Sequence, residues 1–417
     1  MDANFLGLGN ILETLGLNNT KAFELWYETA LQGRETMDLN IEGFDWAEPQ
    51  LDFTYEFLEA QGYIKAMATY VDLNSEPLAR GKHVELSKLS GTIPRQKRKL
   101  NRGENDYRKE VLAAQEAGTI KEIQGGTYAG GIRGYLINNL FDTLSEIPDS
   151  HNASLSYQVG QMKSKRALTL TTDNNFNGLT GVDFKADVPD SNVVDEPWYT
   201  VGEDGTVTYI TTANPTETLV KKIRSIKRDR YRGYSNVTVE IQGETLDTVL
   251  LHPNVLKGFG YSLNSNLRIV PKNDENATIL GTQRYYEAGG YEALKEYFRT
   301  AIGADVLLVS DTIVGAAKLN ATTKRFDTEK LDAFEPGVIL IRPSGVIGKI
   351  FNVVPLRPDG SAITSRIFGG RGLIEYFYDP RTREQTWISE LTMLAVPTMP
   401  SKMYYYNVIG KTTESNE

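Results

Sequence analysis

The chain contains no cysteine, which excludes disulfide staples, thiolate zinc sites, iron–sulfur clusters and a thiol nucleophile. Histidine is almost as scarce. His83, His151 and His252 stand far apart, so an imidazole metal site or a Ser–His hydrolase would have to converge from distant segments. No apolar run approaches the ~20 residues that span a bilayer. The opening, MDANFLGLGNILETLG, has an acid where a signal peptide carries basic residues. These absences lead us to expect a chain made and kept in a cytoplasm-like compartment, with no membrane partner and no cofactor. Its Asn-x-Ser/Thr sequons at Asn152, Asn236, Asn276 and Asn320 are then without meaning.

What is present is an ordinary globular composition. With 40% hydrophobic and 24% charged residues the chain can bury a core, and its 417 residues fit about two or three domains. Charge is unevenly placed. Between Gly91 and Lys109 seven Lys or Arg face two acids, giving +5; Lys221 to Arg232, KKIRSIKRDRYR, carries +6. With both clusters removed, the chain's −9 becomes −20 on the remainder. A basic ribbon with Pro94 and Gly103 in it and no apolar period is not a packed helix along its length. It fits either phosphate or an acidic protein surface. Arg95–Arg102 lacks interleaved aromatic residues, and an acidic bulk repels polyanions while attracting its own basic segments, so self-association is the favoured reading.

Along the chain, Asn18 to Leu31 has helical spacing, and residues 1–62 read as an N-terminal arm too poor in apolar residues to be a domain. Tyr63–Tyr70 and His83–Leu89 read as strands flanking a turn with Asn74, Ser75, Pro77 and Gly81, an extended hairpin that needs a partner. Glu104–Ala117 has a helical stripe. The glycines from Gly125 to Gly134 lack a following Gly-Lys-Ser/Thr and fit a hinge or close backbone contact. Tyr135–Arg166 reads as a long helix, broken or kinked near Pro148, with Ala167–Thr172 a strand. DNNFNG at Asp173–Gly178 starts like a calcium loop, but Phe184 stands where its closing acid belongs, so an Asx-rich turn is expected.

Tyr199–Val201 and Val207–Ile210 flank GEDG as a hairpin. Asn214 or Thr216 caps a helix to Arg232 with Leu219, Ile223 and Ile226 on one face. Strands are expected at Thr248–Leu251, Asp305–Ser310 and Gly337–Arg342, and helices from Pro253 and over Tyr286–Ile302, with Lys318–Glu335 a polar excursion. Thr218–Ser344 thus reads as a compact α/β unit. Lys349–Val354, Leu373–Tyr378, Thr386–Val396 and Met403–Ile409 return to β, the Tyr404–Tyr406 rings alternating between sheet faces. Neither a Gly-x-Ser-x-Gly nor a nucleotide fingerprint occurs, and no constellation supports an enzyme.

Several stretches, in this order, resemble the Hong Kong-97 fold of tailed-bacteriophage major capsid proteins, and more narrowly its lambda-type branch. SLSYQVGQMKSKRALTL (Ser154–Leu170) is similar to the end of that family's spine helix and its following strand, with GVDF at Gly181–Phe184. NPTETLVKKIRSI (Asn214–Ile226) resembles the helix entry after the spine. DTVLLHPNVLKGF (Asp247–Phe259) resembles a strand followed by a helix. GADVLLVSD (Gly303–Asp311) and FEPGVILIRPSGVIGKI (Phe334–Ile350) resemble the last central strands. YDPRTREQTWISELTMLAVPTMP (Tyr378–Pro400) resembles the closing turn and long strand.

The resemblance implies an α+β fold with an N-terminal arm (1–62), an extended β-hairpin loop (63–103), a peripheral domain with the spine helix (104–217), an inserted α/β axial domain (218–345) and return strands (346–417). It implies a non-enzymatic subunit that forms pentamers and hexamers of an icosahedral head around double-stranded DNA, assembled in a bacterial cytoplasm with portal, scaffolding and decoration proteins as further partners. Arg95, Lys97, Arg98, Lys99 and Arg102 are the expected intersubunit residues. Lys221, Lys222, Arg224, Lys227 and Arg228 are the candidates to face DNA. Family cross-linking through Lys82 or Lys88 lacks an identifiable partner Asn. Two other readings stay open: an encapsulin-type cargo shell, and a nucleic-acid-binding protein using both basic clusters.

Overall fold

A computed structural model describes residues 41–60, 86–102, 109, 112–113, 131–175, 178–229, 233–263, 291–309, 313–319, 326–356, 364–368, 370–379, 381 and 384–410. The expected helices at Asn18–Leu31 and, apart from isolated residues, Glu104–Ala117, the strand at Tyr63–Tyr70 and the glycines Gly125, Gly126 and Gly130 lie outside them.

Two mixed sheets and one long helix organise these residues; the chain is α+β. The first sheet is built from β1 (Phe44–Trp46), β4 (Arg95–Arg102), β14 (Gly348–Val353), β15 (Thr364–Phe368), β16 (Gly372–Asp379) and β17 (Glu384–Pro397). Its order is β1-β14-β17-β16-β15, with β4 also on β17. β17 is long enough to take β14 along Thr392–Pro397 and β4 along Gln385–Thr392.

The second sheet contains β7 (Val193–Val201), β8 (Val207–Tyr209), β9 (Val237–Gln242), β10 (Asp305–Val309), β13 (Val338–Pro343) and β18 (Tyr404–Gly410), in the order β10-β9-β13-β18-β7-β8. Smaller two-stranded ladders are β2 (Thr54–Ala60) with β3 (Leu86–Thr92), β5 (Ala167–Leu170) with β6 (Val182–Lys185), and β11 (Ile313–Leu319) with β12 (Phe326–Asp332).

Period-2 alternation divides the second sheet into two faces. Val237, Val239, Ile241, Ile339, Ile341, Tyr406 and Val408 point to one core. That core is closed by α2 (Pro215–Arg228), α3 (Gly243–Leu250), α4 (Pro253–Leu263) and α5 (Tyr291–Ile302). Glu240, Leu340 and Tyr405, paired across β9, β13 and β18, form a row on the other face. The expected alternation of the tyrosine rings is therefore present: Tyr406 enters the helical core, while the Tyr405 hydroxyl donates to the carbonyl of Met162 at 3.4 Å.

Met162 belongs to α1, Gly131–Ser164, a helix of 34 residues and so about 50 Å long. It crosses from the first sheet to the second and runs through Pro148 as one helix, where a break or kink was expected. Its buried residues Leu155, Val159 and Met162 recur at helical spacing, and Met162 joins Tyr55, Ile93, Leu168, Phe351, Leu394 and Val396 in a second core.

Close approach of α1 to the turn after β12 depends on Gly160. A Cβ there would lie 2.3 Å from the Ala333 carbonyl oxygen, and the Gln161 amide donates to that same carbonyl at 3.0 Å. Backbone cannot yield as a flexible side chain would. Gly160→Ala is expected to cost about 1–3 kcal/mol, the range for overpacked sites, read as a lower denaturation midpoint with unchanged slope.

Of the two residues expected to cap α2, Asn214 does so. The Glu217 amide donates to Asn214 Oδ1 at 3.2 Å, and Leu219, Ile223 and Ile226 are buried. The GEDG hairpin pairs Thr200 with Thr208. The described residues of the DNNFNG stretch fit the expected Asn-rich turn: Asn174 accepts from the Thr171 amide and donates to the Thr169 carbonyl, and Asn175 donates to the Leu179 carbonyl.

Two expectations are overturned. Thr248–Leu251 is not a strand; Thr248 to Leu250 end α3, because Leu246, Val249 and Leu250 bury one helical face. The strand stands at Val237–Gln242, buried on both faces. Lys318–Glu335 is not simply a polar excursion, since β12 pairs with β11 over seven residues. The first described hairpin leg, Thr54–Ala60, lies within residues 1–62, expected as the N-terminal arm.

Candidate functional site: the basic strand and the charged joint

The basic ribbon is β4. Alternation sends Arg95, Lys97 and Lys99 to one face of the first sheet and Gln96, Arg98 and Leu100 to the face covered by α1. Arg95 Nε and Lys97 Nζ each lie 3.0 Å from an oxygen of Glu390, two half-exposed cations on one carboxylate. The Arg95 guanidinium also sits 5.5 Å from the Phe53 ring centre. Arg98 Nη2 meets Glu146 Oε2 at 3.0 Å on α1. Lys99 is exposed opposite Ile388, and Arg102 ends the strand opposite Gln385. Within this one chain, Arg95, Lys97 and Arg98 meet carboxylates of the chain itself. Exposed pairs of this kind are worth only about 0–1 kcal/mol each, so they leave the cations open to exchange of partners.

The second basic cluster lies on α2. Lys221 pairs with Glu217 at 2.8 Å, one turn earlier. Lys222 is half-buried over the Tyr404 ring at 4.1 Å, and burial lowers its pKa. Lys227 donates to the Gly303 carbonyl at 2.6 Å. Arg224 and Arg228 stand on the exposed face.

Beside β4, His151 is 4% exposed. Its Nε2 is 2.8 Å from Ser389 Oγ, and its ring stacks on Phe368 at 6.0 Å. Burial, reinforced by the Arg98 charge, pushes its pKa down to about 4. This Ser–His contact is a structural one: Ser389 is fully buried. His252 accepts from the Asn254 amide through Nδ1 and lies with Nε2 3.2 Å from the Ile210 carbonyl, holding a loop. His83 is outside the described residues. Among those residues no cluster of three His, Cys, Asp or Glu is placed to hold a metal, and no helix is long and apolar enough to cross a membrane.

Sequence reasoning missed a buried charge cluster. Glu240 of β9 and Arg342 of β13 are 0% and 1% exposed, with Arg342 Nε 2.5 Å from Glu240 Oε1. Lys163, in the last turn of α1, puts Nζ 3.0 Å from the same oxygen and donates to the Glu42 carbonyl at 2.6 Å. Burial works to neutralise Lys163 and lowers its pKa, against the opposing pull of Glu240. Arg342 Nη1 donates to the carbonyls of Pro343 and Gly345, and Nη2 is 3.5 Å from Glu42 Oε1. The signal was a single acid inside the otherwise strand-like VTVEIQ, and a lysine following the buried Met162.

With this geometry in hand, the chain can be set beside known proteins. No family model matches it, and no curated protein sequence matches it. Solved structures do. A chain from the capsid of cyanophage P-SCSP1u is similar with a TM-score of 0.41 and 8% identity, over 90% of this chain and 88% of that one. The satellite phage P4 procapsid gives 0.38 and 9%, over 93% and 100%. The cyanophage A-1(L) capsid gives 0.39 and 9%, over 89% and 92%. Each of the three comes from a phage capsid or procapsid.

Proposed function

We propose that this chain is the major capsid protein of a tailed phage, a non-enzymatic subunit that assembles with copies of itself into pentamers and hexamers of an icosahedral shell around double-stranded DNA. The observation that carries the reading is the β2–β3 hairpin together with β4. One face of the hairpin rests on its own chain: Tyr55 stacks on Phe351 at 5.0 Å, and Glu59 accepts from Ser401. The other face turns Leu58, 60% exposed, and the Glu56–Lys88 pair outward. An outward ladder beside a row of half-exposed cations is a surface made for a neighbour of opposite charge, and the rest of this chain carries −20. Many copies multiply such weak contacts into a stable lattice.

On this reading Arg95, Lys97, Arg98, Lys99 and Arg102 serve subunit contacts. Lys221, Arg224 and Arg228, with Lys227 and the more withdrawn Lys222, face packaged DNA without sequence preference. Portal, scaffolding and decoration proteins complete the partner set, and assembly takes place in the host cytoplasm.

Negative-stain microscopy of the expressed chain should show rings or closed shells; a plain monomer at high concentration would overturn the proposal. Reversing Arg95, Lys97 and Lys99 together to Glu is expected to abolish those particles while circular dichroism stays that of the folded chain. Normal particles from the triple variant would remove this face from the contact.

A further inference from the structure

The charge cluster at the joint is complete only with a segment that barely buries itself. Lys163 and Arg342 bring two positive charges and Glu240 one negative, all buried. The fourth member is Glu42, at the start of residues 41–50. Within that stretch Phe44 alone is fully buried. It lies on the edge of the first sheet by β1, a parallel ladder of three residues with β14. The ladder is extended by hydrogen bonds from the Ile347 and Gly348 amides to the Gly43 carbonyl, from Ala47 to Ile350, from Gln50 to Asn352, and from Val354 to Gln50. Gly43 takes φ +87° as the chain passes over Arg342, whose Nη2 lies 3.5 Å from where a Cβ would stand. Farther along, Trp46 lies under the Arg371 guanidinium at 4.3 Å.

We infer that residues 41–50 form a detachable strap, seated by the negative charge of Glu42, that locks the last turn of α1 to the second sheet. A segment with few buried side chains and a short edge ladder opens at low free-energy cost. What lies beneath it does not tolerate that opening. With the strap lifted, Lys163 loses its carbonyl acceptor, and Arg342 Nη2, which has no hydrogen-bond partner of its own, loses the Glu42 carboxylate. Two cations then share one carboxylate in a medium of low dielectric, where like charges repel strongly. The repulsion acts between α1, which carries Lys163, and β13, which carries Arg342. The strap therefore converts a local docking event into a tight or a loosened joint.

Amide hydrogen exchange on the full chain tests this, comparing wild type with Glu42→Gln and Glu42→Lys. The amides of Phe44, Ala47, Gln50, Ile347, Gly348 and Val354 should exchange about tenfold faster in Glu42→Gln, from the loss of a charge-assisted contact, and faster again in Glu42→Lys. The Lys165 amide, which bonds to the Gln161 carbonyl at the end of α1, should rise with them, while β9 and β13 keep wild-type rates. Unchanged strap exchange in Glu42→Lys would show that the charge does not seat it. Faster strap exchange with Lys165 unchanged would show that the strap does not lock the helix. A uniform rise through β9 and β13 would make Glu42 part of the core and overturn the proposal.

Discussion

Replacing Glu240 by alanine is expected to lower the stability of the chain by about 3–5 kcal/mol, the cost of breaking a buried ion pair by removing one partner. The loss comes from what is left behind. Arg342, 1% exposed, and Lys163, 5% exposed, would face each other with no buried carboxylate between them, only the exposed Glu42 beside Arg342. Chemical denaturation should show the midpoint falling steeply. The informative control is Glu240→Leu combined with Lys163→Met and Arg342→Met, which removes the three buried charges at once and leaves only the more exposed Glu42. Because desolvation opposes the native cluster, that triple variant is expected near wild-type stability. If the single and triple variants are equally unstable, packing rather than charge holds the joint.

The second large effect is in acid. His151 is neutral in the folded chain, its pKa pushed down to about 4 from the 6.5 of a free imidazole. As pH falls below 6.5 the unfolded chain binds a proton that the folded chain refuses, so stability declines until the folded pKa is reached. At about 1.4 kcal/mol per pH unit this sums to about 3 kcal/mol between pH 6.5 and 4. His151→Gln keeps a group able to bond Ser389 and removes the titration. Its stability should be flatter across that window by the same amount, measured by urea unfolding at a series of pH values. A profile as steep as wild type would assign the acid sensitivity to carboxylates elsewhere.

How much of this was legible in the sequence depends on whether the signal was local. Asn214, Pro215 and the Leu219–Ile223–Ile226 spacing specify α2 by themselves, since cap and stripe lie within one helix. The strand at Thr386–Val396 and the ring alternation of Tyr404–Tyr406 were equally readable. Thr248 to Leu251 misled because four apolar or β-branched residues fit a strand and a helix alike, and only the length of the buried face distinguishes them. β4 was opaque for a different reason. Its one apolar residue, Leu100, offers no pattern, and its place in the first sheet is set by β17, some 285 residues later, where Thr386 Oγ1 donates to Asn101. The buried cluster unites Lys163, Glu240 and Arg342 from three distant segments, and no local rule brings them together.

The contact at Gly160 has a mechanical consequence. α1 is fixed at two places, where His151 meets Ser389 of the first sheet and where Gly160 lies against the Ala333 carbonyl. At 1.5 Å per residue these points are about 14 Å apart. The helix between them is a strut that ties the first sheet to the turn after β12. A shift of about 1 Å along its axis at Lys163 is handed to the first sheet at nearly full size if the helix stays straight. Pro148 interrupts the hydrogen-bond ladder beyond His151, so the helix also has a designated place to flex outside the strut.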